Sequence, residues 1–208
     1  MVRAIIVGVS LIVGSTLLAQ NEGKMMVMQP MSYIQPGMIN ASATFSPSMM
    51  LNRSTTNYYL SGFAEYHMSS KVSVRSDNFF LTSASEELFF DNAFRSYIGA
   101  FYHFRKSQWS NWDKYIGIQP GICYSARNPY GDDIQTFALL EAEYRLSPSM
   151  AITAGTSFYV WKYFNFFANL TYVKSTLSGV QGGPFKTDEL IFSAGLGFQI
   201  QTKKNSIR

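Results

Sequence analysis

The stretch ELIFSAGLGFQIQ, residues 189–201, decides the fold class because its side chains alternate in size and polarity. The even-numbered positions carry the larger apolar side chains, which are Leu190, Phe192, Ala194, Leu196, Phe198 and Ile200. The odd-numbered positions after Ile191 carry small or polar ones, which are Ser193, Gly195, Gly197, Gln199 and Gln201. A period of two residues is typical of a β-strand with one apolar and one polar face. The stretch therefore predicts a long strand.

The same alternation recurs along most of the chain. Eight further runs show it, at residues 38–51, 58–68, 72–81, 94–105, 114–127, 136–146, 150–160 and 165–174. The first run keeps its phase through Pro47, so we expect one strand with a local bulge or an edge there. No stretch has the 3.6-residue period of an amphipathic helix. The sequence predicts one all-β domain.

The composition of the two strand faces indicates which face is outside. Charged residues make up 14% of the chain, whereas globular domains usually carry about 25%. The polar face holds Gly, Ser, Thr and Gln with one or two charged or His residues per strand, and the other face is rich in Tyr, Phe, Leu and Ile. A membrane barrel turns its apolar face outward, whereas a lipocalin-like barrel turns it inward. We predict a membrane barrel and keep a soluble exported carrier as an alternative.

The alternating strands and the final strand at 189–201 resemble the small outer-membrane β-barrels of Gram-negative bacteria, of the OmpA and OmpX type. The hairpin-like EY segments and IGIQPG (116–121) also resemble exported barrels of Bacteroidota. The resemblance covers about residues 38–201 and implies a closed antiparallel transmembrane barrel with an even number of strands. It also implies insertion by the barrel assembly machinery, which reads an aromatic residue in the last strand, here Phe198.

Nine runs conflict with an even strand number. We resolve the conflict by assigning residues 165–174 to an outer loop, which leaves eight strands; ten would result if part of 20–36 joined the sheet. The segments AEYHMSSKV (64–72) and AEYRLSPSM (142–150) each predict a hairpin with a tight periplasmic turn, through Ser-Ser-Lys and Ser-Pro-Ser. The longer polar segments 82–93, 128–135 and 175–188 predict outer loops.

The chain divides into four predicted segments. Residues 1–19 have a basic residue at Arg3, an apolar stretch and small residues up to Ala19, which is the layout of a cleaved signal peptide. Residues 20–37 predict a loosely ordered N-terminal segment, residues 38–201 the barrel, and residues 202–208 a basic tail.

Charged side chains on the polar face predict an interior network. In the first hairpin Glu65 and Arg75 face each other on the same side of the sheet. Charges in a narrow lumen must be paired, because their desolvation cost otherwise dominates. We therefore predict a structural plug rather than a conduction path, made of Glu65, His67, Arg75, Asp77, Arg105, Glu141, Glu143 and Arg145.

Catalytic chemistry has little support in the sequence. Lipid A-modifying barrels use His with Ser and an acid at the outer rim, whereas His67 and His103 are predicted at the periplasmic end. The single Cys123 forms no intrachain disulfide, no Cys or His spacing indicates zinc, and the net charge of +4 forms no nucleic-acid patch. We predict no catalytic, cofactor or metal site.

The predicted function is a structural, adhesive, or envelope or secretion-assembly role in the outer membrane, with a lipid-modifying enzyme as the alternative. The expected partners are the lipid bilayer, the barrel assembly machinery during insertion, and an envelope or secretion-system protein.

Overall fold

The computed structural model describes residues 34–52, 55–85, 90–105, 110–127, 143–177 and 185–202. The strands are β1 (Met38–Met50), β2 (Thr56–His67), β3 (Val72–Ala84), β4 (Phe90–His103), β5 (Trp112–Arg127), β6 (Glu143–Tyr159), β7 (Phe164–Leu177), β8 (Phe185–Lys186) and β9 (Glu189–Gln201). None of the described residues belongs to a helix long and apolar enough to cross a membrane. The predicted signal peptide, residues 20–33 and the tail beyond Thr202 lie outside the described residues.

Eight of these strands close into one antiparallel barrel. Each strand from β1 to β7 pairs with the next, β7 pairs with β9, and β9 returns to β1. The two-residue β8 pairs only with the end of β7 and stands outside the ring. The predicted all-β, closed, eight-stranded antiparallel barrel is confirmed. Closure gives each barrel strand a neighbour on both sides in the described part of the chain, which the interior of a bilayer requires.

The assignment of residues 165–174 to an outer loop was wrong. This run does not belong to an outer loop but forms most of β7. It pairs with β6 from Ser149↔Ser175 to Tyr159↔Asn165, and with β9 from Phe164↔Phe198 to Val173↔Glu189. Because β7 is bonded on both sides, the barrel cannot close without it.

The segment AEYRLSPSM was also misread. It is not a hairpin: β6 continues through Ser-Pro-Ser, and Pro148 pairs with Ile122 of β5. On its other side β6 pairs with β7 only from Ser149 onward, so Pro148 lies at an edge, where a residue without an N–H is tolerated. The similar segment AEYHMSSKV does turn, and the N–H groups of Met68 and Ser69 both donate to Val72 O at 3.0 Å.

The strand β1 is continuous through Pro47, which pairs in register with Tyr58 of β2. Toward β9, pairing covers Met38 to Ser42 and Ser48 to Met50, with an interruption between them. In this gap Thr44 Oγ1 donates to Ala194 O at 2.7 Å. The local edge that the sequence predicts at Pro47 therefore lies on the side of β9.

The barrel has the inverse polarity of a soluble protein. Large apolar side chains on its outer face are exposed, with Phe45 at 68% and Ile98 at 59%. The alternate residues face the lumen, where polar side chains such as Arg75 and Gln119 are buried. An apolar outer surface all around a closed sheet matches hydrocarbon, not water.

Two glycines in β5 make room for aromatic rings in the narrow lumen. Gly117 lies opposite Phe101 and Gly121 opposite Tyr97 on β4. A Cβ at Gly117 would lie 2.6 Å from the Phe101 ring, and one at Gly121 would overlap Tyr97 Cδ1. The rings therefore cover the glycine backbone, as in the packing of aromatic side chains over glycines in barrels.

An interstrand disulfide tests the continuity of β6. In a Cys123→Ser background, the variant Ile122→Cys/Pro148→Cys places thiols on directly paired residues, so we expect an intrachain disulfide after mild oxidation. In the control variant Ile122→Cys/Ile152→Cys the second thiol is paired with position 118 instead, and we expect it to stay reduced. Electrophoretic mobility with and without reductant measures the bond, and cross-linking of only the control would contradict the observed register.

Candidate functional site: the polar interior of the barrel

The lumen holds three clusters of buried polar side chains, stacked from one end of the barrel to the other. The terminal end is where β1 begins and β9 ends, and the opposite end carries the connections 51–55, 85–89, 128–142 and 178–188. All three clusters arise from the period of two, since alternate residues of every strand point inward.

The terminal cluster comprises Glu65, His67, Ser73, His103 and Asp113. His103 Nδ1 lies 2.8 Å from Asp113 Oδ2, and its Nε2 lies 2.8 Å from Ser73 Oγ. Ser73 Oγ donates to Glu65 Oε1 at 2.6 Å. The same carboxylate lies 3.4 Å from His103 Nε2 and 3.6 Å from His67 Nε2. One Glu carboxylate thus faces two imidazoles.

The central cluster is built on an ion pair within β3. Arg75 donates to Asp77 Oδ1 from Nε at 3.0 Å and from Nη2 at 2.7 Å. Gln119 of β5 donates to the other carboxylate oxygen at 2.6 Å, and Thr153 donates to Gln119 Oε1 at 3.2 Å. The guanidinium lies 3.7 Å from the centroid of the Phe63 ring. Charge pairing, hydrogen bonds and a cation–π contact together compensate for removing this cation from water.

The third cluster, nearer the opposite end, surrounds Glu189. Arg95 Nη1 lies 2.5 Å from Glu189 Oε2. Asn57 Nδ2 donates to Oε1 at 2.8 Å and the Tyr59 hydroxyl donates to Oε2 at 3.0 Å, and Ser48 also donates to this carboxylate. The Glu189 carboxylate therefore has four partners from β1, β2 and β4.

Little space remains between the clusters. The central cavity has a volume of about 10 Å³ and is bordered by Phe63, Arg75, Asp77, Phe167 and Asn169. This is about the space that a single water needs. Phe63 and Phe167 meet edge to face across the lumen with ring centroids 5.1 Å apart. Among the described residues the lumen is a packed polar core.

Five of the eight residues predicted for the interior network lie in or next to these clusters: Glu65, His67, Arg75, Asp77 and Arg105. Glu65 and Arg75 are directly paired across β2 and β3, but their closest ionic partners are the two histidines and Asp77 respectively. Arg145 is exposed near the beginning of β6, at the end of the barrel away from the termini. Glu141 and the side chain of Glu143 lie outside the described part of the chain.

Sequence reasoning missed three charged residues of the lumen: Arg95, Asp113 and Glu189. Each occupies an odd-numbered position, as the other inward-facing residues of its strand do. Extending the alternation to the ends of the strands therefore identifies all three. Glu189 shares its parity with Ser193 and Gln199, and Arg95 shares it with Tyr97 and Phe101. Asp113 lies one residue before the predicted run 114–127, although β5 already begins at Trp112.

Two kinds of chemistry are compatible with the terminal cluster. Ser73, His103 and Asp113 have the hydrogen-bond connectivity of a serine-hydrolase triad. Glu65, His67 and His103 bring their potential metal-ligand atoms within 4.8 Å of one another. Ser73 and His67 are both 0% exposed, so a substrate has no access, whereas a single ion is small enough to be enclosed.

A double-mutant cycle tests whether the buried ion pair of Arg95 and Glu189 stabilises the barrel. We expect Arg95→Met and Glu189→Met each to lower the free energy of unfolding by roughly 3–5 kcal/mol, because each leaves a buried charge unpaired. The double variant should lose clearly less than the sum. Urea unfolding in lipid vesicles measures the effect, with the exposed Lys71→Ala as the control, expected to stay within about 0.5 kcal/mol. Additive losses would show that the two charges are independent.

Comparison with known proteins bears on the fold. No family model and no curated protein sequence matches the chain. Among solved structures, the outer membrane protein OprG from Pseudomonas aeruginosa superposes with a TM-score of 0.62 at 12% identity, over 83% of this chain and 100% of OprG. The attachment invasion locus protein Ail of Yersinia pestis gives 0.51 at 14% identity, over 80% and 100%. Neisserial surface protein A gives 0.51 at 13% identity, over 79% and 96%.

All three of these neighbours are small outer-membrane β-barrels. The resemblance to barrels of Bacteroidota is not tested by them and stays a prediction. The shared fold agrees with the apolar outer surface and the polar, packed lumen of this chain. The chain therefore has the fold of the small eight-stranded outer-membrane β-barrels.

Proposed function

We propose that this protein is a non-conducting, non-enzymatic barrel of the outer membrane whose role is structural, adhesive, or that of a component of an envelope or secretion assembly. The observation that carries the proposal is the packed lumen, in which three carboxylate clusters fill the space between the strands. A barrel whose interior is filled with paired charges acts as a membrane anchor. Its contacts with other molecules are then made by the connections at its ends.

The closed centre supports an anchor over a pore. Ion conduction needs a continuous water-filled path along which the ion binds only weakly. In this barrel Arg75, Asp77 and Gln119 are hydrogen-bonded to one another across the middle of the lumen. Breaking these bonds to admit an ion would leave buried charges unpaired. The free-energy cost of opening the lumen therefore includes the loss of these side-chain interactions, which connect strands across the lumen.

The adhesive option has support in one neighbour. Ail is named as an attachment invasion locus protein, and it has also been solved in complex with the heparin analogue sucrose octasulfate. Those words describe Ail. For this chain, an adhesive role would belong to the connections 85–89, 128–142 and 178–188, which join strands at the end away from the termini. We also propose that the barrel assembly machinery inserts the chain and that an envelope or secretion-system protein binds it.

Conductance measurements test the closed lumen. We expect the purified protein to give no discrete current steps in planar bilayers. The variant Phe63→Ala/Arg75→Ala removes the ring and the guanidinium that fill the central layer, and we expect it to conduct. The matched control Phe166→Ala shortens an exposed aromatic side chain on the outer face and should stay silent. Current steps in the unchanged protein would overturn the plugged interior.

A lipid-modifying hydrolase remains the second candidate because of the connectivity of Ser73, His103 and Asp113. A working triad needs an accessible nucleophile and an oxyanion site, but the Ser73 hydroxyl is buried and donates to Glu65. We expect a fluorophosphonate probe to leave the folded protein unlabelled, just as it leaves Ser73→Ala unlabelled. Labelling that is stoichiometric in the unchanged protein and absent in Ser73→Ala would replace the proposed function with the enzymatic one.

A further inference from the structure

We propose that Glu65, His67 and His103 form a binding site for a divalent transition metal, Zn²⁺ first of all, in the terminal end of the lumen. Two imidazoles and one carboxylate are a ligand set that zinc accepts, with a fourth position left for water or a hydroxyl. Imidazole nitrogen also suits other late transition metals, but Mg²⁺ and Ca²⁺ prefer oxygen ligands. The site differs from the proposed membrane role and does not depend on it.

The spacing of the ligand atoms is close to that around a bound ion, with each imidazole nearest to a different oxygen of Glu65. In a tetrahedral site with bonds of about 2.0–2.1 Å, neighbouring ligand atoms lie about 3.4 Å apart. Glu65 Oε1 lies 3.4 Å from His103 Nε2, and Glu65 Oε2 lies 3.6 Å from His67 Nε2. All three residues place a ligand atom within 4.8 Å of the other two. Small side-chain rotations would complete the site without movement of the strands.

His67 provides the second, independent observation. Its side chain is fully buried, and among the described residues neither ring nitrogen has a hydrogen-bond partner. Buried polar atoms in folded proteins are nearly always satisfied, and leaving one unpaired costs about 1–3 kcal/mol. A metal ion bound at Nε2 would satisfy one of these atoms. The orphaned imidazole points to a ligand on the same side as the Glu65 carboxylate.

His103 is already oriented as a ligand. Its Nδ1 is held by Asp113 Oδ2 at 2.8 Å, which leaves Nε2 directed at Glu65 and Ser73. Metal-bound histidines usually donate their other ring N–H to a carboxylate in this way. Metal binding would replace the contact between Nε2 and Ser73 Oγ, while Ser73 keeps its hydrogen bond to Glu65. Asp113 is therefore a positioning residue for the site.

The charge at this end of the lumen favours a cation. Glu65 and Asp113 contribute two carboxylates, and Arg105, 3.8 Å from Asp113, contributes one guanidinium. The next cation along the lumen, Arg75, is paired with Asp77. Metal binding requires both imidazoles to be neutral, and in that state these groups leave one negative charge at the terminal end, which a divalent ion offsets.

The metal would join strands that do not touch. Glu65 and His67 lie near the end of β2 and His103 ends β4, with β3 between them. Residues 34–37 lie over the same mouth, since Gly37 N donates to His67 O at 2.8 Å and Ile34 packs with Met38 and Tyr159. The ion would therefore be enclosed during folding and exchange slowly afterwards, and its binding energy would add to the stability of the barrel.

Metal content of the refolded full chain tests the site. The protein is refolded from urea into detergent with or without ZnCl₂, passed over a desalting column, and analysed for zinc per chain. We expect one ion per chain, a rise in Tm of roughly 5–10 °C when free Zn²⁺ exceeds Kd about a hundredfold, and a tetrahedral visible spectrum with Co²⁺. His67→Ala and His103→Ala should bind none. Asp113→Asn should bind about 10–100-fold more weakly.

Glu189→Gln is the matched control, because it alters a buried carboxylate of the lumen that shares no contact with the terminal cluster. It should keep one zinc per chain even if its Tm falls. Heat-modifiable migration confirms folding of each variant, and His67→Gln replaces His67→Ala if the latter does not fold. Zinc at background level in the unchanged protein, or one full ion in both His67 variants, would overturn the proposal.

Discussion

Backbone hydrogen bonding in a medium without water is the constraint on which this structure depends. Inside hydrocarbon each unpaired N–H or C=O costs several kcal/mol, so a sheet must bond its first strand to its last. Here the bond is made between β1 and β9, with Met38 facing Gln201 and Met50 facing Glu189. Once this seam is formed, each strand has two neighbours, and the inward or outward direction of every side chain follows from its parity.

Closure with eight strands also determines what the interior can contain. The lumen of such a barrel is just wide enough for side chains, so inward residues form a core, although many of them are polar. Bulky aromatic rings fit into the narrow lumen because they lie over glycines, as Phe101 lies over Gly117. The desolvation of buried carboxylates is compensated by cations or by several hydrogen-bond donors. Glu189, for example, is paired with Arg95, Asn57 and Tyr59. The stability of the barrel and the filling of its lumen therefore have the same physical origin.

The sequence was sufficient for the fold and for five of the eight residues predicted for the interior network. A period of two residues shows strands and faces directly, and the scarcity of charge shows which face meets lipid. The errors arose where local signals compete. Pro148 was read as a turn although it lies at an edge of β6, and the error propagated to β7, which was removed to restore an even count.

The clusters themselves could not be predicted, because their members are brought together across the lumen by the register of several pairings. Glu189 is 94 residues from Arg95 and 132 from Asn57, and no spacing motif connects them. The same holds for Glu65 and His103. The odd or even position of a residue in its strand shows whether its side chain points inward. Only the stagger of the strands in the closed barrel determines whether two inward side chains lie at the same height along the lumen.

The two ends of the lumen differ in a way that bears on function. Around Glu189 the carboxylate has a guanidinium and three neutral donors, so its bonding capacity is used within the protein. Around Glu65 the partners are a hydroxyl and two imidazoles, and imidazoles are groups that accept a proton or a metal as conditions dictate. His103 cannot serve a triad and a metal at once, since both uses need the lone pair on Nε2. Burial favours the metal over the triad, because the Ser73 hydroxyl is enclosed whereas a single ion fits beside the Glu65 carboxylate, whose oxygens lie 3.4 Å from His103 Nε2 and 3.6 Å from His67 Nε2.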